Sequence, residues 1–159
     1  MGSGESLKAA RRAGKPARHG PALIAPDVAR RQRQRINIHL PDALLFDAGQ
    51  AGLRASAETL LRELGPELAA FEGDIIVEGH TDDLPPGARA KYVTNWELSV
   101  ARSFSVIHCL TGAGVPAAKL SARGYGEYRP RAVNDNPIGR AANRRIEIVL
   151  VNPKKVGKP

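Results

Sequence analysis

Residues 77–102, VEGHTDDLPPGARAKYVTNWELSVAR, concentrate the side chains that could do chemistry. An apolar, strand-like run ends at Gly79. Thr81, Asp82 and Asp83 follow, then a loop carrying Pro85, Pro86 and Gly87, then the start of a helix. Asn95 and Arg102 lie seven positions apart on that helix. Seven steps of about 100° bring them within roughly 20° of one stripe. A carboxylate held at a strand end beside a guanidinium held on a helix supports two readings of about equal weight. One is an internal salt bridge. The other is a clamp for an amino-acid head, with Asp82 taking the ammonium and Arg102 gripping the carboxylate through two parallel bonds. Asn95 and Thr81 would fill the remaining positions. Each charge-assisted bond contributes about 1.5–3 kcal/mol, so a few together give a dissociation constant of roughly millimolar to micromolar.

Other chemistries find less support. His80, Asp82 and Asp83, with His108 on the helix, match no metal-ligand spacing, and no metal site is expected. Asp82 and Asp83 would point apart on an extended chain, a poor acid/base pair. No Ser-His-Asp or Cys-His order emerges, so the expectation is a protein that is not an enzyme. GYGEYRP (residues 124–130) has two glycines but no phosphate-binding loop, and no cofactor is implied. Cys109 is the only cysteine, which excludes an internal disulfide.

These residues need elements to hold them. RINIHL alternates, with Ile36, Ile38 and Leu40 on one side and Arg35, Asn37 and His39 on the other, as in a strand with one wet face. Ala57, Leu60, Leu61, Leu64, Leu68 and Phe71 trace a helical stripe, with Ser56 placed to cap it and Gly65-Pro66 predicting a kink or break. DIIVEGH reads as a buried strand. Thr94 and Glu97 have capping-box spacing and open a second helix over about 95–112, where Ser99 and Ser103 allow close approach to the sheet. KLSARGYG suggests a third strand and RRIEIVLV a fourth. The stretch between them, EYRPRAVNDNPIGRAAN, reads as loop with about one helical turn. The order β-α-β-α-β-β predicts a two-layer α/β sandwich, with a mixed sheet, helices packed on one face and right-handed crossovers between parallel strands.

The chain has 159 residues, 42% hydrophobic and 25% charged, which suits one globular domain. Its formal charge is +8, but that charge is unevenly placed. Residues 1–35 hold nine Lys/Arg against two Asp/Glu, while the rest hold fifteen against fourteen. Residues 1–34 therefore read as a flexible basic leader, 35–152 as the folded domain and 153–159 as a polar tail. With a nearly neutral domain, no nucleic-acid partner is expected. A module driven by the leader onto nucleic acid or another anionic surface is the alternative. No secretory signal and no apolar run of membrane-spanning length occurs, so any addressing segment would lie outside this chain.

Four motifs in order, VEGHTDD, TNWELSVAR, GYGEYRP and GRAANRRIEIVLV, closely resemble the OmpA-like peptidoglycan-binding domain over about residues 36–151. DALLFDAGQAGL, the TDD…P loop and NWELS are most similar to the periplasmic domains of the MotB family of flagellar stator subunits. The resemblance implies binding of peptidoglycan through the diaminopimelate of its stem peptide. It implies that Asp82 and Arg102 hold the ligand's amino and carboxylate groups, and that Thr81, Asn95, Leu98 and Arg144 line the pocket. Arg140 and Arg145 would then make structural or surface contacts. Ser103 departs from the family's usual Ala at a position facing packing. A stator resemblance further implies a homodimer, a MotA-like channel subunit as partner and a periplasmic location beside the inner membrane. A porin or lipoprotein that tethers the outer membrane is the alternative within the family. Trp96, near the helix start, suits either packing or a dimer contact.

Overall fold

The computed structural model describes residues 35–153. The expected basic leader, and the polar tail beyond Pro153, lie outside the described residues. Four strands form one sheet: β1 (Arg35–Pro41), β2 (Asp74–His80), β3 (Leu120–Gly124) and β4 (Arg145–Val151), in the order β1-β4-β2-β3. β2 pairs parallel with β3, and β4 runs antiparallel to both β1 and β2. The sheet is mixed, as expected. The parallel-neighbour expectation holds for β2 and β3, whereas β1 and β2 are separated by β4. The sequences explain the placement. β4 is buried along nearly its whole length, so it takes a central position, while β1 keeps its alternate residues in water and takes the edge.

Short helices α1 (Asp42–Leu45) and α4 (Pro137–Asn143) flank the longer α2 (Ala55–Ala70) and α3 (Asn95–Gly112). One face of the sheet supplies Leu40, Ile75, Val77, Ile146 and Ile148 to the main core, where Leu61 and Leu68 of α2 and Val106 and Leu110 of α3 meet them. On the other face Ile76, Val149 and Val151 make a smaller apolar cluster. Among the described residues no helix is long and apolar enough to cross a membrane.

One detail of α2 differs from expectation, and a second narrows the expected kink or break. Ser56 lies inside the helix, and Arg54 is the N-cap without a side-chain bond. Pro66 does not break the helix, which continues to Ala70. Both Pro66 and Arg62, whose carbonyl loses its donor, face solvent, so water can replace the missing bond. The buried Leu61 and Leu68 on the opposite side keep the helix seated.

α3 starts where its capping box predicts: Thr94 Oγ1 accepts from the Glu97 amide at 3.2 Å, and the Glu97 carboxylate accepts from the Val93 amide at 3.0 Å. The helix presses closely on the sheet. A Cβ on Gly79 would run into the Ser99 carbonyl and the Ser103 hydroxyl. Ser99 and Ser103 are fully buried. The Ser103 hydroxyl donates to the Arg123 carbonyl at 2.8 Å, and Ser99 Oγ accepts from the Gly126 amide at 3.0 Å. Two serines thus tie α3 to β3 and to the turn beyond it.

Candidate functional site

The carboxyl end of β2 hands over directly to Thr81 and Asp82, so a buried strand fixes their backbone. The first turns of α3 bring Asn95, Leu98 and Arg102 alongside, all of them buried. Arg144 arrives at the junction of α4 and β4. These six residues, the full predicted set, line one cavity of about 490 Å³, walled on its outer side by Leu84, Pro85 and Pro86.

Asp82 and Arg102 do not bond to each other. Asp82 Oδ2 accepts from Arg144 Nη1 at 2.7 Å, and its Oδ1 accepts from the Leu84 amide at 3.1 Å, folding the loop back over the carboxylate. Arg102 is only 3% exposed. Its Nη1 donates to Asp42 Oδ2 at 2.9 Å, its Nε to the Gln50 carbonyl at 2.8 Å, and its Nη2 more weakly to the Asp47 carbonyl at 3.4 Å. Its guanidinium lies over the Phe46 ring, 4.8 Å from the centroid. Burial pulls the Arg102 pKa below its ordinary value, opposed by the charge and hydrogen bond of Asp42. A guanidinium has five N–H donors. Three are engaged, so one on Nη1 and one on Nη2 remain without a partner among the described residues.

Arg144 also approaches Asp42, with Nε 3.7 Å from Oδ1. The cavity wall therefore holds two acids and two bases in a chain, Arg102–Asp42–Arg144–Asp82. Of these, Arg144 is the most exposed, with 38% of its side chain open to solvent. Thr81 and Asn95 are committed elsewhere. The Thr81 hydroxyl donates to the Asp82 carbonyl at 2.8 Å, and the Asn95 amide donates to the carbonyls of Asp82 and Leu84 at 3.3 and 3.0 Å. Both fasten the loop. Arg140 and Arg145 take structural roles, as expected: Arg140 bonds the Asn134 carbonyl, and Arg145 bonds Glu147 and two backbone carbonyls.

Sequence reasoning missed Asp42, the partner that makes a buried Arg102 tolerable, and Phe46 beneath it. The available signal was an acid placed directly after a strand, at LPD, much as Asp82 stands just beyond the end of β2. Trp96, left open between packing and dimer contact, stacks on Tyr128 with centroids 5.0 Å apart and remains 47% exposed.

Fold and site define a small α/β domain that offers an acid–guanidinium cavity at the carboxyl end of its sheet. The chain belongs to the OmpA family, whose model matches residues 45–144. It is 35% identical over 116 residues to motility protein B of Bacillus subtilis (strain 168), covering 72% of this chain and 44% of that protein. A MotB-like protein from Desulfovibrio vulgaris superposes with a TM-score of 0.71 at 37% identity, over 75% of this chain and 76% of that one. The cell wall anchor of the T6SS from Pseudomonas aeruginosa gives 0.69 at 29% identity, over 82% of this chain and 94% of that one. The chain spans about half the length of the curated relatives it matches, 54% and 44% for two of them.

Proposed function

We propose that this chain is the wall-gripping domain of a cell-envelope anchor, binding peptidoglycan non-covalently through the diaminopimelate of the stem peptide. Membership of the OmpA family supports the reading, as do a solved relative described as a cell wall anchor and relatives described as motility protein B. The observation that carries it is the arrangement of charges. Asp82 and Arg102 line one accessible cavity without neutralising each other, and Arg102 keeps two N–H groups uncommitted.

In this reading the ammonium of the amino-acid head approaches Asp82. It shares the carboxylate with the Leu84 amide and displaces or supplements Arg144. The ligand carboxylate takes the remaining N–H groups of Arg102, with the released Arg144 as a second cation. Leu98 and the Pro85-Pro86 wall cover the aliphatic chain. Asp42 keeps Arg102 charged and oriented. A swap of internal ion pairs for ligand ion pairs yields a modest net gain, since the unbound site is already satisfied. Affinity per site is therefore expected at about millimolar to micromolar, and firm anchoring comes from several copies acting together.

The similarity to motility protein B and to MotB-like structures favours a stator subunit as the parent protein. A homodimer, a MotA-like channel partner and a periplasmic position beside the inner membrane belong to that proposal. An outer-membrane porin or lipoprotein is the competing parent. A membrane helix bearing an acidic residue, encoded ahead of this chain, would favour the first, and a barrel or a lipidated cysteine the second.

The test is co-sedimentation with purified sacculi. Wild type should pellet with diaminopimelate-containing wall and bind lysine-containing wall less. Asp82→Ala and Arg102→Ala should each lose retention by about tenfold or more, one charge-assisted bond being worth that much. Equal retention of wild type and both variants would remove the clamp.

A further inference from the structure

We propose that Glu78, His80 and Glu147 form a binding site for a divalent transition-metal ion of the zinc class. None of the three lines the cavity described above. Sheet register brings them together. Glu78 sits directly opposite Glu147 across the β2–β4 pair, and His80 follows two residues later on the same side of β2. One imidazole nitrogen and one oxygen from each carboxylate lie within 4.8 Å of one another.

The independent observation is His80 itself. The residue is 4% exposed, and neither ring nitrogen has a hydrogen-bond partner. Its Nε2 stands 3.7 Å from Glu78 Oε2, too far for a hydrogen bond. A buried imidazole with both nitrogens unmade is costly, and a cation held between His80 and the two carboxylates would satisfy one of them. The ring is meanwhile held in place by stacking on Tyr125, centroids 5.2 Å apart.

The carboxylates are oriented from behind, as metal ligands are. Glu147 Oε1 accepts from Arg145 Nε at 2.7 Å and Oε2 from Asn37 Nδ2 at 3.3 Å, while Glu78 Oε1 accepts from the Tyr125 hydroxyl at 3.5 Å. One nitrogen and two oxygens suit Zn²⁺ and its neighbours. Mg²⁺ and Ca²⁺ prefer oxygen alone. The Arg145 guanidinium opposes any cation here, so the expected affinity is about micromolar. Such an ion would staple β2 to β4 just before β2 delivers Asp82. Linear spacing could not reveal the site, because Glu147 lies on a strand far along the chain and meets the other two only across the sheet.

The experiment uses the full chain, stripped with a chelator and titrated with ZnCl₂. Binding is followed calorimetrically and by the ring ¹⁵N resonances of the four histidines, His19, His39, His80 and His108. One equivalent should bind, shift the His80 ring nitrogens and raise the thermal midpoint. Glu78→Gln, at a partly exposed position, should keep the fold by circular dichroism while weakening Zn²⁺ by more than about tenfold. His39→Ala should bind as wild type does, although His39 lies 3.4 Å from Glu147. Absence of binding, shifts confined to the other histidines, or Glu78→Gln binding as tightly as wild type would each overturn the proposal. Wall retention of Glu78→Gln should stay at the wild-type level, so failure here leaves the peptidoglycan reading untouched.

Discussion

At the scale of single residues, the site turns on how a deeply buried guanidinium on the cavity wall is kept charged. Arg102 has lost most of its water, and the Asp42 carboxylate, itself only 14% exposed at the side chain, replaces it. Removing one partner of such a pair strands the other, which costs about 3–5 kcal/mol. Asp42→Ala should therefore lower stability by about 3 kcal/mol in urea denaturation and also weaken wall binding, whereas Asp42→Asn, which keeps a hydrogen bond, should lose less. A change below about 0.5 kcal/mol for the alanine variant would mean that Arg102 is solvated after all. The sequence made Asp82 and Arg102 legible because strand end and helix stripe are local patterns. It hid Asp42, because an ion pair spanning 60 positions leaves no trace in spacing. It also hid how Thr81 and Asn95 are engaged, since a donor's choice between loop carbonyl and ligand depends on a loop conformation that composition does not encode.

At the scale of elements, legibility followed period and length. α3 declared itself through its capping box, and β1 and β4 through their apolar pattern. α1 spans four residues, too short to show a period. α4 was visible only as a turn, although Asn136 before Pro137 is a helix-start signal and Asn136 Oδ1 does accept from the Gly139 amide at 2.8 Å. Two elements make sharp predictions. Gly79 is where α3 meets β2, and any Cβ there strikes backbone that cannot yield. Gly79→Ala should cost about 2–3 kcal/mol by chemical denaturation, as overpacking does. It should also displace the start of α3, and so weaken wall binding beyond the stability loss. A fully stable variant would contradict the contact. Asn143, the last residue of α4, is fully buried. Its oxygen accepts from the amides of Arg131 and Ala132 at 2.7 and 3.0 Å, and its amide donates to the Ala132 carbonyl and to Asn134 at 2.8 Å each. Four bonds from one side chain organise the loop that precedes Arg144. Asn143→Ala leaves several of those groups unpaired and should cost about 3 kcal/mol. Amide exchange should accelerate selectively over residues 131–136, and uniform exchange across the chain would argue against a local pin.

At the scale of the whole molecule, the excess of positive charge and the proposed binding cavity belong to different parts of the chain. Residues 35–153 form a compact unit of their own and carry nearly balanced charge, while most of the basic excess lies in residues 1–34. Attraction of that segment to polyanions depends on counterion release and falls steeply with salt. In the proposed function the cavity instead recognises fixed charges through partly desolvated, short-range bonds that salt screens far less. The two can therefore be separated in one experiment. Sedimentation with sacculi and binding to a duplex DNA probe would be measured for the full chain and for residues 35–159, at about 50 and 200 mM salt. DNA binding should drop by orders of magnitude with salt and vanish with the truncation, while retention on sacculi should survive both. If deleting residues 1–34 released the protein from the wall, the basic segment would be the wall-binding element, and the acid–guanidinium cavity would be a structural ion-pair network.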